Sequence, residues 1–121
     1  MMSGTVYNRR LFVELSLAGP DGQAINVEFV LDTGFTGVTT LAPEACMALE
    51  LPFLRIQPAG LADGSPLLLD VYQATLLWDH EQRKIEVLAL EGAPLIGMTL
   101  LEDSDVHFQG RDGGLITIEP L

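Results

Sequence analysis

An acid closing an apolar run is the first place in this chain where side chains could do chemistry. Phe29-Val30-Leu31 runs into Asp32, and Thr33 and Gly34 follow directly. On that pattern alone two readings stand. A carboxylate at a strand end commonly accepts backbone N–H bonds in a turn, a purely structural role. A carboxylate held against apolar neighbours is also partly desolvated, which favours its neutral form. Two such groups brought close together cannot both ionise, so they share one proton and give a base and an acid in one site. The base takes a proton from water, the water attacks a peptide carbonyl, and the acid protonates the carbonyl oxygen. Neither a metal nor a covalent intermediate is required. The chemistry asks for a hydroxyl after the acid to lock the loop, then a glycine so that backbone can approach closely. Thr33 and Gly34 meet both needs.

Other reactive residues fit bland roles better. His80 and His107 are far apart and lack ligand-like neighbours, so they read as surface or turn residues, and no metal site is expected. Glu102-Asp103-Ser104-Asp105 lacks the glycine and spacing of a Ca²⁺ loop and reads as a solvated helix end. Gly110 to Gly114 lacks the lysine and hydroxyl of a phosphate loop and reads as a hairpin turn. Cys46, the single cysteine, sits in a short helical stretch and reads as a buried, inert thiol. Trp78 and Tyr72 share a strand and are expected in the core.

Leu31-Asp32-Thr33-Gly34-Phe35-Thr36-Gly37 resembles the active-site loop of the retropepsin-like aspartic proteases. About 60 residues downstream, Leu95-Ile96-Gly97-Met98-Thr99-Leu100-Leu101 resembles the second half of that family's pattern: two apolar residues, a glycine and a short leucine-bearing helix. The resemblance runs from Leu11 to Pro120 and points in particular to small prokaryotic members with an Asp-Thr-Gly-Phe signature. It implies a mainly β, single-domain closed barrel with one or two short helices and a flap hairpin. It implies an aspartic endopeptidase without cofactor, acting on a peptide or protein substrate. Asp32 would be the catalytic carboxylate. Thr33 would hydrogen-bond across two loops, Gly34 would offer its carbonyl to substrate, and Gly97 would pack as bare backbone behind the loop. Ala62, Asp63, Gly64 and Ser65 would form the flap tip, although Asp63-Gly64 also suits an ordinary exposed turn. Phe35 and Ile96 would stand beside the substrate pocket.

The mechanism needs two aspartates and the chain carries one such motif. Asp63-Gly64-Ser65 and Asp112-Gly113-Gly114 read as turns. The resemblance therefore implies a homodimer with both copies of Asp32 on a two-fold axis. The strand Leu115-Ile116-Thr117-Ile118 is a candidate for pairing between subunits, or alternatively for the sheet of its own subunit. One departure stands out. Retroviral members follow the motif with a small residue and then an acid, which pairs with an arginine after the downstream glycine, whereas Phe35, Thr36 and Met98 occupy those places. Bracing here must be apolar or come from elsewhere. Phe35 also suits core filling, the commoner fate of a phenylalanine. The alternative function is a dimeric peptide- or protein-binding domain that keeps the fold without cleaving.

The elements that must position Asp32 are legible from periodicity. Leu11, Val13, Leu15 and Leu17 alternate with Phe12, Glu14 and Ser16, then Gly19-Pro20-Asp21-Gly22 turns the chain, and Ile25, Val27, Phe29 and Leu31 alternate again. This is a hairpin whose second arm ends at Asp32. Val38 to Leu41 reads as extended, and Pro43 to Leu49 as a short helix with Pro43 in its first turn and Glu44 at its positive end. Leu54 to Leu61 and Pro66 to Trp78 form a hairpin around residues 62–65, its second arm long enough to serve two sheets. Asp79 to Gln82 is a polar turn before a strand over Lys84 to Leu90. Leu95-Ile96 is a brief strand, Met98 to Asp103 a helical turn or two, and Val106 to Gln109 and Leu115 to Glu119 the last strands. Residues 1–9 show no clear pattern and are expected to be a loose N-terminal segment of one domain spanning 1–121.

Composition narrows the partners. The chain has 121 residues, 48% of them hydrophobic, which supports a packed core. A net charge of −11 argues against nucleic acid as a partner. No apolar run approaches the roughly 18 residues of a membrane span, and no leader-like apolar stretch opens the chain. One cysteine suits a reducing, cytoplasmic setting.

Overall fold

The computed structural model describes residues 1–60 and 64–121. Strands dominate: β1 (Met2–Tyr7), β2 (Arg10–Ala18), β3 (Ala24–Leu31), β4 (Thr39–Leu41), β5 (Phe53–Gly60), β6 (Pro66–Trp78), β7 (Glu81–Ala89), β8 (Leu95–Ile96), β9 (Ser104–Phe108) and β10 (Leu115–Pro120). Two short helices, α1 (Pro43–Ala48) and α2 (Met98–Leu101), complete the elements among the described residues. The strands form one sheet in the order β5-β6-β7-β4-β8-β3-β2-β1-β10-β9. β2 also pairs with β6, through Leu17 opposite Leu76 and Ala18 opposite Thr75, so the sheet folds back on itself. The mainly β architecture with brief helices matches the sequence reading. A long sheet with this one extra pairing takes the place of the expected closed barrel.

Alternation builds the core. Val13, Leu15 and Leu17 on β2 face Val27, Phe29 and Leu31 on β3, all buried. Ile85, Val87 and Ala89 on β7 and Ile116 and Ile118 on β10 join the same apolar cluster. β2, β3, β7 and β10 thus bury alternate side chains, as a pleated strand with one packed face must. α1 adds Cys46, and Leu49 and Leu51 just beyond it, which seal one end of the cluster.

Two expectations need correction here. Residues 1–9 are not loose: β1 pairs antiparallel with both β2 and β10, and Val6 is buried. Asn8 and Arg9 both hold positive φ, 49° and 64°, and make the two-residue turn that matches strand twist. Asp79 and His80 make the same kind of turn, with φ of 48° and 69°, so β7 begins earlier than the polar composition suggested. The second correction concerns β10. Both of its edges are occupied within the chain, by β1 and by β9, so it cannot pair with another subunit.

Candidate active site

Asp32 sits where β3 ends, and β8 fixes that end. β8 runs parallel to β3, with Val30 opposite Leu95 and Leu31 opposite Ile96, and meets β4 on its other side. The Val30 N–H donates to the Pro94 carbonyl at 2.8 Å, and the Asp32 N–H donates to the Ile96 carbonyl at 2.9 Å. Two buried threonines peg β8 in place. Thr39 Oγ1 donates to the Leu95 carbonyl at 2.7 Å, and the Leu95 N–H donates to Thr40 Oγ1 at 2.9 Å. Nothing in the sequence reading singled out Thr39 or Thr40. Their signal was a pair of hydroxyls in an otherwise apolar strand, where each needs a partner once buried.

Beyond β3 the chain turns tightly. The Gly34 N–H donates to Asp32 Oδ1 at 2.9 Å, and the Phe35 N–H donates to the Asp32 carbonyl at 3.1 Å. The Asp32 side chain is half-buried, while Thr33 and Gly34 at the tip are exposed. One carboxylate oxygen is thus held by a backbone donor in a fixed orientation. Among the described residues no second carboxylate bonds to it.

The loop's bracing is apolar and backbone-based. The Met98 N–H donates to the Phe35 carbonyl at 2.8 Å, the Gly97 N–H to the Val38 carbonyl at 3.0 Å, and the Thr99 N–H to the Gly37 carbonyl at 3.2 Å. Thr99 Oγ1 donates to the Thr36 carbonyl. The Phe35 ring lies against Gly37 and Gly97: a Cβ on Gly37 would stand 2.6 Å from the ring, and one on Gly97 would stand 2.6 Å from the ring and 2.2 Å from the Gly37 carbonyl oxygen. Two glycines therefore make the slot that receives the phenylalanine. This fills the place of the missing acid–arginine pair.

The other candidates fall as follows. Phe35 is half-buried in that slot and directs its ring at the glycines. Ile96 has 0% exposure and packs in the apolar core rather than beside an open pocket as expected, because its side chain stands on the face of β8 that the core covers. Gly64 has φ of 82°, a left-handed position that suits glycine at a hairpin tip. Gly64 and Ser65 are far along the β5–β6 hairpin, and Ala62 and Asp63 lie outside the described residues. At the base of that hairpin Arg55 reaches across β6 and pairs with Glu86 on β7, both nitrogens engaged, at 2.8 and 2.6 Å. Trp78 is buried under the Arg83 guanidinium, while Tyr72 is half-buried edge-on to Phe53. His80 lies in a hairpin turn, and His107 is exposed on β9. Among the described residues no helix is long and apolar enough to cross a membrane.

The chain has the retropepsin-like fold of aspartic proteases. Two solved structures share it. A retropepsin-like aspartic protease from Rickettsia conorii superposes with a TM-score of 0.59 at 16% identity, covering 100% of this chain and 90% of that one. The EIAV protease in complex with the inhibitor HBY-793 superposes with a TM-score of 0.57 at 19% identity, covering 81% of this chain and 92% of that one. By sequence alone, no family model and no curated protein matches the chain.

Proposed function

We propose that this chain is an aspartic endopeptidase that works as a homodimer, each copy supplying Asp32. The observation that carries the reading is the Asp32 carboxylate: half-buried at the end of an apolar strand, and oriented by the Gly34 N–H at 2.9 Å. A backbone donor fixes where the carboxylate points, and the fold is one that the named proteases also use. One such group per chain gives a base without its acid. A second copy, brought up on a two-fold axis, supplies the acid, and the pair holds one proton between them. The ionised member takes a proton from water, the water attacks the scissile carbonyl, and the protonated member donates to the carbonyl oxygen.

Within this reading the exposed hydroxyl of Thr33 ties the two loops together, and the Gly34 carbonyl receives the substrate backbone. The β5–β6 hairpin, with Gly64 and Ser65 just before β6, closes over the peptide. Phe35 and Gly97 hold the loop. The buried thiol of Cys46 suits a reducing compartment such as the cytoplasm.

The test is cleavage of a mixed peptide library from acid to neutral pH by the purified chain and by Asp32→Asn. Cleavage by the wild type and none by the variant is the expected result. Cleavage that persists in the variant removes Asp32 from the mechanism. Silence from both, at every pH, leaves a peptide-binding dimer.

A further inference from the structure

We propose that the open edge of β9 is where the second copy docks, strand against antiparallel strand, centred on Val106; this rests on the two-copy reading of Asp32. β9 ends the sheet and pairs only with β10 among the described strands. The Asp103 carbonyl accepts the Leu121 N–H, and the Gln109 N–H donates to the Leu115 carbonyl. In an antiparallel ladder the bonded residues alternate. The odd positions therefore face β10, and the N–H and C=O of Ser104, Val106 and Phe108 point to the open side. The sheet's other end, β5, carries Pro58, which interrupts an edge. β9 has neither proline nor lysine to protect it.

The side chains of Ser104, Val106 and Phe108 line an apolar groove together with Leu11, Thr33 and Met98. Phe108 is 55% exposed and Met98 46%. Thr33 adjoins Asp32, so a body seated in this groove arrives beside the catalytic loop. That points to the second copy as the occupant, since the site is incomplete without one.

Charge selects the register. On the other face of β9, His107 Nε2 lies 3.1 Å from Asp105 Oδ1. Identical strands paired through their outward-facing residues can centre on Val106, or slip to centre on Asp105 or His107. Centred on Asp105, two carboxylates oppose each other; centred on His107, two imidazoles do. Centred on Val106, Asp105 of each copy faces His107 of the other, and Ser104 faces Phe108. Two carboxylates set opposite each other destabilise a strand pair, whereas an imidazole facing a carboxylate can donate its N–H to it. On β10, Thr117 stands opposite His107 and Glu119 opposite Asp105, so Glu119 offers the incoming imidazole a further carboxylate. Two copies of net charge −11 thus meet at a locally complementary strip.

Sedimentation velocity across a concentration series tests this. Val106→Pro removes one outward N–H and no bond to β10; thermal unfolding of the variant reports whether it still folds. Association is expected to weaken about tenfold or more. Asp105→Lys and His107→Asp should each weaken association, and the double swap should restore it. A folded Val106→Pro that dimerises like wild type, or a double swap that restores nothing, overturns the proposed edge and register. A wild type that stays monomeric at every concentration overturns it as well. Peptide cleavage by two copies joined in one chain then shows separately whether the enzyme reading stands.

Discussion

Asp32 combines two attachments. A backbone donor aims its oxygen, and the strand that carries it is bonded on both sides. Asp32→Asn keeps an oxygen for the Gly34 N–H but no longer ionises, so catalysis should vanish while the unfolding temperature hardly moves; peptide cleavage and a thermal melt check this together. Gly97 is a steric requirement. Its backbone φ of −103° suits any residue, but an added Cβ would lie 2.2 Å from the Gly37 carbonyl oxygen. Gly97→Ala should destabilise the fold by roughly 1–3 kcal/mol through overpacking, measurable by urea unfolding. Cys46 is 1% exposed, and desolvation pushes its thiol up from the ordinary 9.0 to about 11. The folded state therefore holds this proton more tightly than the unfolded state. The stability it contributes is fully present below about pH 9 and is lost as pH rises towards 11. A thiol reagent at neutral pH should label Cys46 only after denaturant is added.

At the scale of elements, the β5–β6 hairpin depends on its base. Arg55 and Glu86 lie on strands separated by β6, so their pairing ties the edge strand to the sheet's interior. The hydrogen bond from Arg55 holds the Glu86 carboxyl below its ordinary range. A depressed carboxyl contributes stability above its unfolded pKa and loses it as pH falls through the folded one. Both side chains are about half exposed, so solvent screens the pair and the global effect is small. Arg55→Ala should leave the midpoint of unfolding nearly unchanged while β5 amides exchange faster, as hydrogen exchange would reveal. Unchanged β5 protection would show that the backbone ladder alone secures the hairpin.

For the whole molecule, the proposed two-copy mechanism has a signature that an enzyme working as a single chain would not share. Activity per chain should rise with concentration as subunits pair. Adding Asp32→Asn to a fixed amount of wild type should suppress activity beyond simple dilution, because mixed pairs hold one working carboxylate. A titration followed by peptide cleavage measures this, and activity left unchanged by the added variant would mean that one chain suffices. Pairing also presents a problem of charge, since each copy carries −11. Raised salt should therefore strengthen association where long-range repulsion dominates.

Periodicity in the sequence determined most of the architecture. The alternations over Leu11–Leu17 and Ile25–Leu31 each bury one face, and a one-residue slip would expose it, so strand and register follow from composition. The loop was legible too, because Leu31 to Gly37 and Leu95 to Leu101 together resemble the two halves of one family's pattern. The sequence did not reveal β1, whose turn at Asn8-Arg9 uses non-glycine residues at positive φ, nor the pegs at Thr39 and Thr40. It misplaced Ile96, whose burial depends on which face of β8 the core covers. It also left open where Phe35 goes. These are long-range matters: a slot made by glycines at 37 and 97, and a carbonyl at 95 met by a hydroxyl at 39, exist only once distant segments touch. Local pattern encodes which face a strand buries, and tertiary packing alone decides which neighbour it buries it against.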